Sequence, residues 1–395
     1  MKKVYIIDAA RTAVGTFGGS LAPLSAVDLG STVVKELMKR NNLTSESVDE
    51  LLMGCVLQAG MGQNVARQIA INSGISQDKT AMTINMVCGS GLRTVSLATQ
   101  AIKAGDADLI IAGGTESMSN SPYLSKEARF GGRMGNLSLV DSMVNDGLWD
   151  VFNDYHMGIT AENVAEKYNI SRDDQDKFAV QSQEKASAAL ESGKFEDEIV
   201  SVFIPRRKKD PIEFRTDEYI RPGSKFEKLN SLKPAFKKDG SVTAANASGI
   251  NDGASAIIIA GEDAVKKYNL KPMAEIISYA THGIDPSIMG AAPIEAVKKA
   301  LNKADWSIDD IDLIEANEAF AAQSLAVMRE TGMDPKKVNV NGGSIAIGHP
   351  IGASGARILT TLLYVLKDRK KEKGLATLCI GGGMGIAMCV KSLNK

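Results

Sequence analysis

Three side chains far apart in the sequence, Cys88, His349 and Cys379, are of types that together perform nucleophilic chemistry. Cys88 stands in Asn85-Met86-Val87-Cys88-Gly89-Ser90-Gly91-Leu92, between an apolar strand and a helical run. A cysteine at a helix N-terminus meets the positive end of the macrodipole, which favours thiolate over thiol. The glycines beside it let another backbone or a substrate approach closely. On these residues alone, an inert cysteine at a strand end is an equal reading. His349 lies in Gly348-His349-Pro350-Ile351-Gly352-Ala353-Ser354-Gly355, and the chain has only 3 histidines. A histidine within reach of a thiol can take its proton and start nucleophilic catalysis; the alternative is a loop histidine without chemistry. Cys379 begins Cys379-Ile380-Gly381-Gly382-Gly383-Met384-Gly385 at a strand end. Backbone N–H groups in that glycine run could form an oxyanion hole. A site built from these pieces would use two different sulfurs. Asn317, in Glu315-Ala316-Asn317-Glu318-Ala319-Phe320, either caps a helix or holds a catalytic water. Cys55 and Cys389 read as packing inside apolar strands.

The elements that must position these residues are written twice. Residues 28–54 read as an amphipathic helix, a polar turn and a short apolar strand, and 293–316 repeat that order. Residues 83–114 read strand, Gly-Ser-Gly turn, helix, Gly-Asp turn, strand, and 338–383 do likewise. Strands alternating with helices predict mostly parallel sheets covered by helices, in two similar halves that face each other. By that alignment His349 stands at the turn equivalent to that of Cys88. Between the halves, roughly 119–248 is polar and rich in Asn, Asp, Lys and Ser, with helical runs over Thr160–Tyr168 and Arg172–Ser192. Ser171 with Asp174 marks a helix start. This stretch reads as a loop-rich insertion over the site. The predicted division is 1–118 plus 249–270 for the first half, 119–248 for the insertion and 271–395 for the second half.

A chain of 395 residues calls for more than one domain. Its formal net charge of −1 supplies no general attraction to nucleic acid or an anionic membrane. No apolar stretch approaches the roughly 20 residues that span a bilayer. Four cysteines without a Cys-x-x-Cys pair make neither a disulfide scaffold nor a metal knot, and no metal is expected. The ending Ser392-Leu393-Asn394-Lys395 is not a peroxisomal address, so the expected location is the cytoplasm.

NMVCGSG (85–91), NEAFA (317–321), GHPIGASGAR (348–357) and CIGGGMG (379–385) resemble the active-site motifs of the thiolase family. GGTESMS (113–119) and NASGINDGA (246–254) match it too, and the similarity runs over essentially the whole chain. DGLWDVFNDYHMGITAEN (146–163) is similar to the biosynthetic branch.

The resemblance implies two βαβαβαββ halves in a five-layered α-β-α-β-α arrangement with a loop-rich insertion, assembled as a homotetramer. It implies acetyl-CoA C-acetyltransferase chemistry: two acetyl-CoA give acetoacetyl-CoA plus CoA, reversibly and in ping-pong order. No prosthetic group is expected, the coenzyme A thioesters being substrates. Cys88 would carry the acetyl group, His349 would activate it and Cys379 would remove the α-proton. Asn317, through a water, would join His349 at the enolate oxygen, and the N–H groups of Cys88 and Gly381 would meet the tetrahedral oxyanions. Ser248, Arg221 and His156 carry over as contacts to coenzyme A, with Leu148, Phe236 and Ala244 along its pantetheine arm. Met157, Met289 and Phe320 would wall the acyl pocket, or alternatively are ordinary core. Lys228 departs from relatives that have serine near the adenine, which leaves the adenine contacts open. The run Arg206-Arg207-Lys208-Lys209 is either a solvated loop or an attractor for the anionic cofactor. A β-ketoacyl synthase would share the doubled architecture, but such enzymes generally use histidines where this chain has Cys379.

Overall fold

The computed structural model describes residues 2–394. The first half runs β1 (Val4–Thr12), α1 (Ala26–Arg40), β2 (Glu50–Gly54), α2 (Val65–Asn72), β3 (Thr80–Ile84), α3 (Ser90–Ala104), β4 (Leu109–Ser117). After the intervening stretch, which carries α4 (Met157–Lys167) and α5 (Arg172–Glu191), the half is completed by β5 (Asn251–Gly261). The second half runs β6 (Ala274–Gly283), α6 (Pro293–Ala304), β7 (Leu313–Ala316), α7 (Ala321–Thr331), α8 (Ile351–Asp368), β8 (Lys373–Ile380), β9 (Met384–Ser392). The strand order is β7-β8-β9-β6-β1-β5-β4-β2-β3, and the two halves join through the pairs Tyr5–Glu275 and Ile6–Ala274.

Alternation along the strands divides their side chains between three apolar cores, and this produces the five layers. Ile258 of β5 packs with Val33, Leu37 and Ile69 of α1 and α2. Its neighbours Ile257 and Ile259 point the other way, toward Leu92 and Val95 of α3 and Leu359 and Leu362 of α8. Leu378 and Met388 of the second half close over the same central helices. Leu375 and Cys389, on the opposite face, pack with Val297 of α6 and Val327 of α7. α8 is buried nearly all round, including its Ser354, Arg357, Thr360 and Thr361.

Two local expectations are corrected. The sheets are mixed rather than mostly parallel. Only the crossover-linked pairs β2–β3, β2–β4 and β7–β8 run parallel among these nine strands, because each half ends on a strand that returns antiparallel. The strand expected at the start of 338–383 is a single bridge between Ile314 and Val338. There the chain turns off at Asn339, whose φ is +44°, and the Asn339 carboxamide bonds Ala316 N–H and C=O in place of a ladder. The basic run is the tip of a two-stranded hairpin, Val202–Arg206 with Lys209–Phe214.

Helix starts follow local chemistry. Ser25 and Asp28 form a capping box on α1, and Ser171 Oγ accepts the Asp174 N–H at 3.1 Å on α5. The intervening stretch is tied to the first strand by a buried cluster in which Arg11 pairs with Glu198 and Asp217, both at 2.7 Å.

Candidate active site

Cys88 and His349 stand at the N-terminal ends of the two central helices, which cross where glycine leaves room. A Cβ on Gly91 of α3 would lie 2.7 Å from the Ala356 N, and one on Gly355 of α8 would lie 2.4 Å from the Leu92 N. That reciprocity is what two related helices crossing on a pseudo-two-fold axis produce. It brings the turn before α3 and the turn before α8 to one end of the molecule.

The chain enters α3 through a strained elbow. Val87 has φ +45°, a left-handed conformation costing on the order of 1–3 kcal/mol for a β-branched residue. Ser90 Oγ donates to Val87 O at 2.6 Å, and Asn85 Oδ1 accepts the Val87 N–H at 2.9 Å, so the turn is pinned from both sides. Cys88 follows and opens onto a pocket of about 350 Å³. Burial pushes its thiol up to about 11, while the N–H groups of Gly381 and of Cys88 itself pull the other way. Desolvation thus works against the thiolate that the helix terminus alone would favour.

His349 is buried, and burial, with Arg357 nearby, lowers it to about 3, so its imidazole is neutral. Its Nδ1 lies 2.5 Å from Ser354 Oγ, and Ser354 donates onward to Pro350 O at 2.8 Å. The Ser354 proton is committed to the carbonyl, so the hydroxyl oxygen accepts Nδ1–H. Nε2 is left with a lone pair and has no partner. A buried, unprotonated ring nitrogen of this kind is able to accept a proton.

Cys379 is fully buried at the end of β8, packed against Met157, Met289 and Phe320. Burial drives its thiol far up, and the nearby Cys88 adds to the shift. Asn317 is buried after β7; its Oδ1 accepts from Ser344 Oγ at 2.6 Å and its Nδ2 has no partner.

The pocket wall holds Leu148, His156, Met157, Phe236, Ala244, Ser248, Met289 and Phe320 beside Cys88, His349 and Gly381. Cys379 and Asn317 do not line this pocket, though Cys379 packs against its Met157, Met289 and Phe320. Arg221 is exposed, its guanidinium 5.0 Å over the ring of Tyr219, which does line the pocket. His156 stacks on Phe236 at 4.7 Å, and its Nδ1 caps α4 by accepting the Gly158 N–H. A Cβ at residue 158 would meet the Phe236 ring at 2.2 Å, so Gly158 is what permits the stack. Lys228 is exposed on a short helix. Cys389 lies inside β9, but Cys55 falls just past β2, its Sγ 3.5 Å from the buried Glu116 carboxylate. That carboxylate also receives the N–H groups of Val56, Leu57 and Gly352, which anchors the start of α8.

Sequence reasoning missed Tyr219, Met118, Ile250 and Ile351 on the wall, together with the supporting Ser354 and Ser344. Ser354 sits inside the His349 motif and its spacing from the histidine was the available signal. Nothing local marks the others. Among the described residues, no group of three His, Cys, Asp or Glu could hold a metal ion, and no helix is long and apolar enough to cross a membrane.

The family described as thiolase, N-terminal domain, matches residues 4–263, and thiolase, C-terminal domain, matches 270–392. An acetyl-CoA acetyltransferase of Cupriavidus necator is 57% identical over 391 residues, covering 99% of this chain and 100% of its own. One from Syntrophomonas wolfei is 58% identical, with 99% and 100% covered. The crystal structure of the Bacillus anthracis acetyl-CoA acetyltransferase superposes with a TM-score of 0.97 at 44% identity, over 100% of this chain and 99% of that one. With both family domains matched and these relatives covered end to end, the chain belongs to the thiolase family of acyltransferases.

Proposed function

We propose that this chain is an acetyl-CoA C-acetyltransferase that joins two acetyl-CoA into acetoacetyl-CoA and CoA through an acetyl-Cys88 thioester. The observation that carries this reading is the thiol of Cys88 and the unpartnered Nε2 of His349 on one pocket, with the Gly381 N–H directed at the sulfur. His349 Nε2 takes the Cys88 proton as the sulfur attacks the acetyl carbonyl. The N–H groups of Cys88 and Gly381 receive the tetrahedral oxyanion, where preorganised donors are most effective. CoA departs with the proton of Cys379, which leaves Cys379 as a thiolate. Burial that holds its thiol up makes that thiolate a strong base. It takes the α-proton of a second acetyl-CoA, and the enolate oxygen is met by His349, now protonated, and by a water on Asn317. The enolate carbon attacks the acetyl-Cys88 carbonyl. Cys88 then leaves and recovers its proton from His349, so both thiols and the imidazole return to their starting forms.

Ser248, His156, Leu148, Phe236 and Ala244 would follow the pantetheine arm, and Arg221 would meet the anionic end at the pocket mouth. Met157, Met289 and Phe320 restrict the acyl group to a short chain, because added methylenes overpack a filled wall. The three-part division at 118, 248 and 270, the homotetramer and a cytoplasmic location belong to the same reading. The test is to incubate the protein with acetyl-CoA, quench in acid and map the acetyl mass. The expected adduct is on the Cys88 peptide; no adduct, or one on another cysteine, would sink the mechanism.

A further inference from the structure

The carboxamide of Asn317 has two ends of opposite hydrogen-bonding sense, and only one of them can hold a water or an enolate oxygen as a donor. Its Oδ1 accepts from Ser344 Oγ at 2.6 Å, while the buried Nδ2 has no partner. A serine hydroxyl by itself does not select this arrangement, since it could equally accept from the Nδ2 side. What selects it lies one step further back. Arg357, on the second turn of α8, donates from Nη2 to Ser344 Oγ at 2.7 Å. A guanidinium has no acceptor and stays charged, so it can only donate. Arg357 takes a lone pair of Ser344 Oγ from one side, which turns the hydroxyl so that its proton goes to Asn317 Oδ1 on the other.

We propose that Arg357 and Ser344 are positioning residues whose fixed donor sense sets the Asn317 carboxamide with its oxygen inward, leaving its NH₂ free for the site. This deepens the catalytic reading above and rests on it where the use of that NH₂ is concerned.

A buried arginine is a costly way to hold a helix in place, which makes a purely structural role a poor account of this one. Its Nη1 stands 3.6 Å from Glu315 Oε2, beyond hydrogen-bond distance, and its Nε and Nη1 have no hydrogen-bond partner. Both oxygens of Glu315 are likewise unpartnered. Burial holds the Glu315 carboxyl above its ordinary range, and Arg357 opposes that shift. The best-made contact of the guanidinium is therefore the one to Ser344. The relay has a counterpart on the other catalytic arm. There Pro350 O, which can only accept, fixes Ser354 as its donor and so leaves His349 Nε2 with a lone pair. One relay ends in a free acceptor and the other in a free donor. Each is anchored by a group whose sense cannot change.

Three variants test this: Ser344→Ala, Ser344→Thr and Arg357→Gln, the last replacing a donor-only group by one that can donate or accept. The rates of acetyl-Cys88 formation and of α-proton exchange into acetyl-CoA in deuterated water are measured separately. Ser344→Ala is expected to slow exchange by about tenfold or more, since a lost oxyanion donor costs up to about 10²–10³-fold. Acetylation should stay within about twofold, Ser344→Thr should restore exchange, and Ser344→Ala should add no further loss to Asn317→Ala. Equal loss in both half-reactions, unchanged exchange, or a further loss on the Asn317→Ala background would overturn the relay. Neutron diffraction of the deuterated wild-type protein reads the same point without catalysis. Deuterons on the unpartnered end of Asn317 and between Ser344 and Oδ1 are expected, and the reverse assignment overturns the proposal even if folding of Arg357→Gln fails. Wild-type protein that forms no acetyl adduct counts instead against the catalytic reading.

Discussion

Ser354 Oγ stands 2.5 Å from His349 Nδ1 and 2.8 Å from the Pro350 carbonyl, so one hydroxyl decides which ring nitrogen of His349 keeps a free lone pair. Replacing it by alanine leaves His349 in place but releases the tautomer. Ser354→Ala is expected to slow acetylation of Cys88 by about tenfold, less than the roughly 10²–10⁴-fold that a general base supplies. Rapid-quench measurement of the acetyl-enzyme decides this, and an unchanged rate would remove Ser354 from the mechanism.

Cys379→Ser separates the two sulfurs. A serine alkoxide is far harder to form than a thiolate, so the variant should still accept acetyl on Cys88 but exchange α-protons and condense poorly. Equal loss of both half-reactions would contradict the proton role.

The neutral His349 also makes stability depend on pH. In the unfolded chain it takes up a proton near pH 6.5, whereas in the folded chain it does so only near about 3. Between those values the unfolded state binds more protons, so stability is fully present above about pH 6.5 and falls as the pH drops toward 3. Urea midpoints from pH 7 to pH 4 should decline more steeply for wild type than for His349→Gln. Parallel declines would place the histidine in a different protonation state.

Met289 is buried in the apolar cluster that also holds Cys379, Met157 and Phe320. Met289→Ala should cost about 2–5 kcal/mol in stability and open room for extra methylenes. Turnover of a butyryl-derived 3-oxoacyl thioester relative to acetoacetyl-CoA is expected to rise. A stability loss with an unchanged ratio would make the residue core alone.

Much of the site was legible because its pieces are contiguous motifs. Cys88, His349, Cys379 and Asn317 each sit in a short glycine- or proline-marked run, and the doubled element order already set the first two at equivalent turns. The layers followed from period-two alternation on strands such as β5, where Ile258 faces one core and Ile257 and Ile259 another. The strand expected at the start of 338–383 failed for a reason no window of sequence contains. The Asn339 side chain substitutes for a main-chain ladder only because Ala316 lies beside it.

The sequence alone determined which residues are of reactive types in marked motifs, the order of most strands and helices, and the family, because these are local patterns of type and spacing. Only the tertiary structure decided their chemical state. Burial raises the Cys88 thiol against the pull of the helix terminus, since desolvation depends on every atom packed around the sulfur rather than on the helix it begins. Donor and acceptor sense at His349 and Asn317 was set through Ser354 with Pro350 and through Ser344 with Arg357. A hydrogen bond has a direction only when both partners are in place, and for Asn317 those partners lie 27 and 40 residues along the chain, brought together by packing.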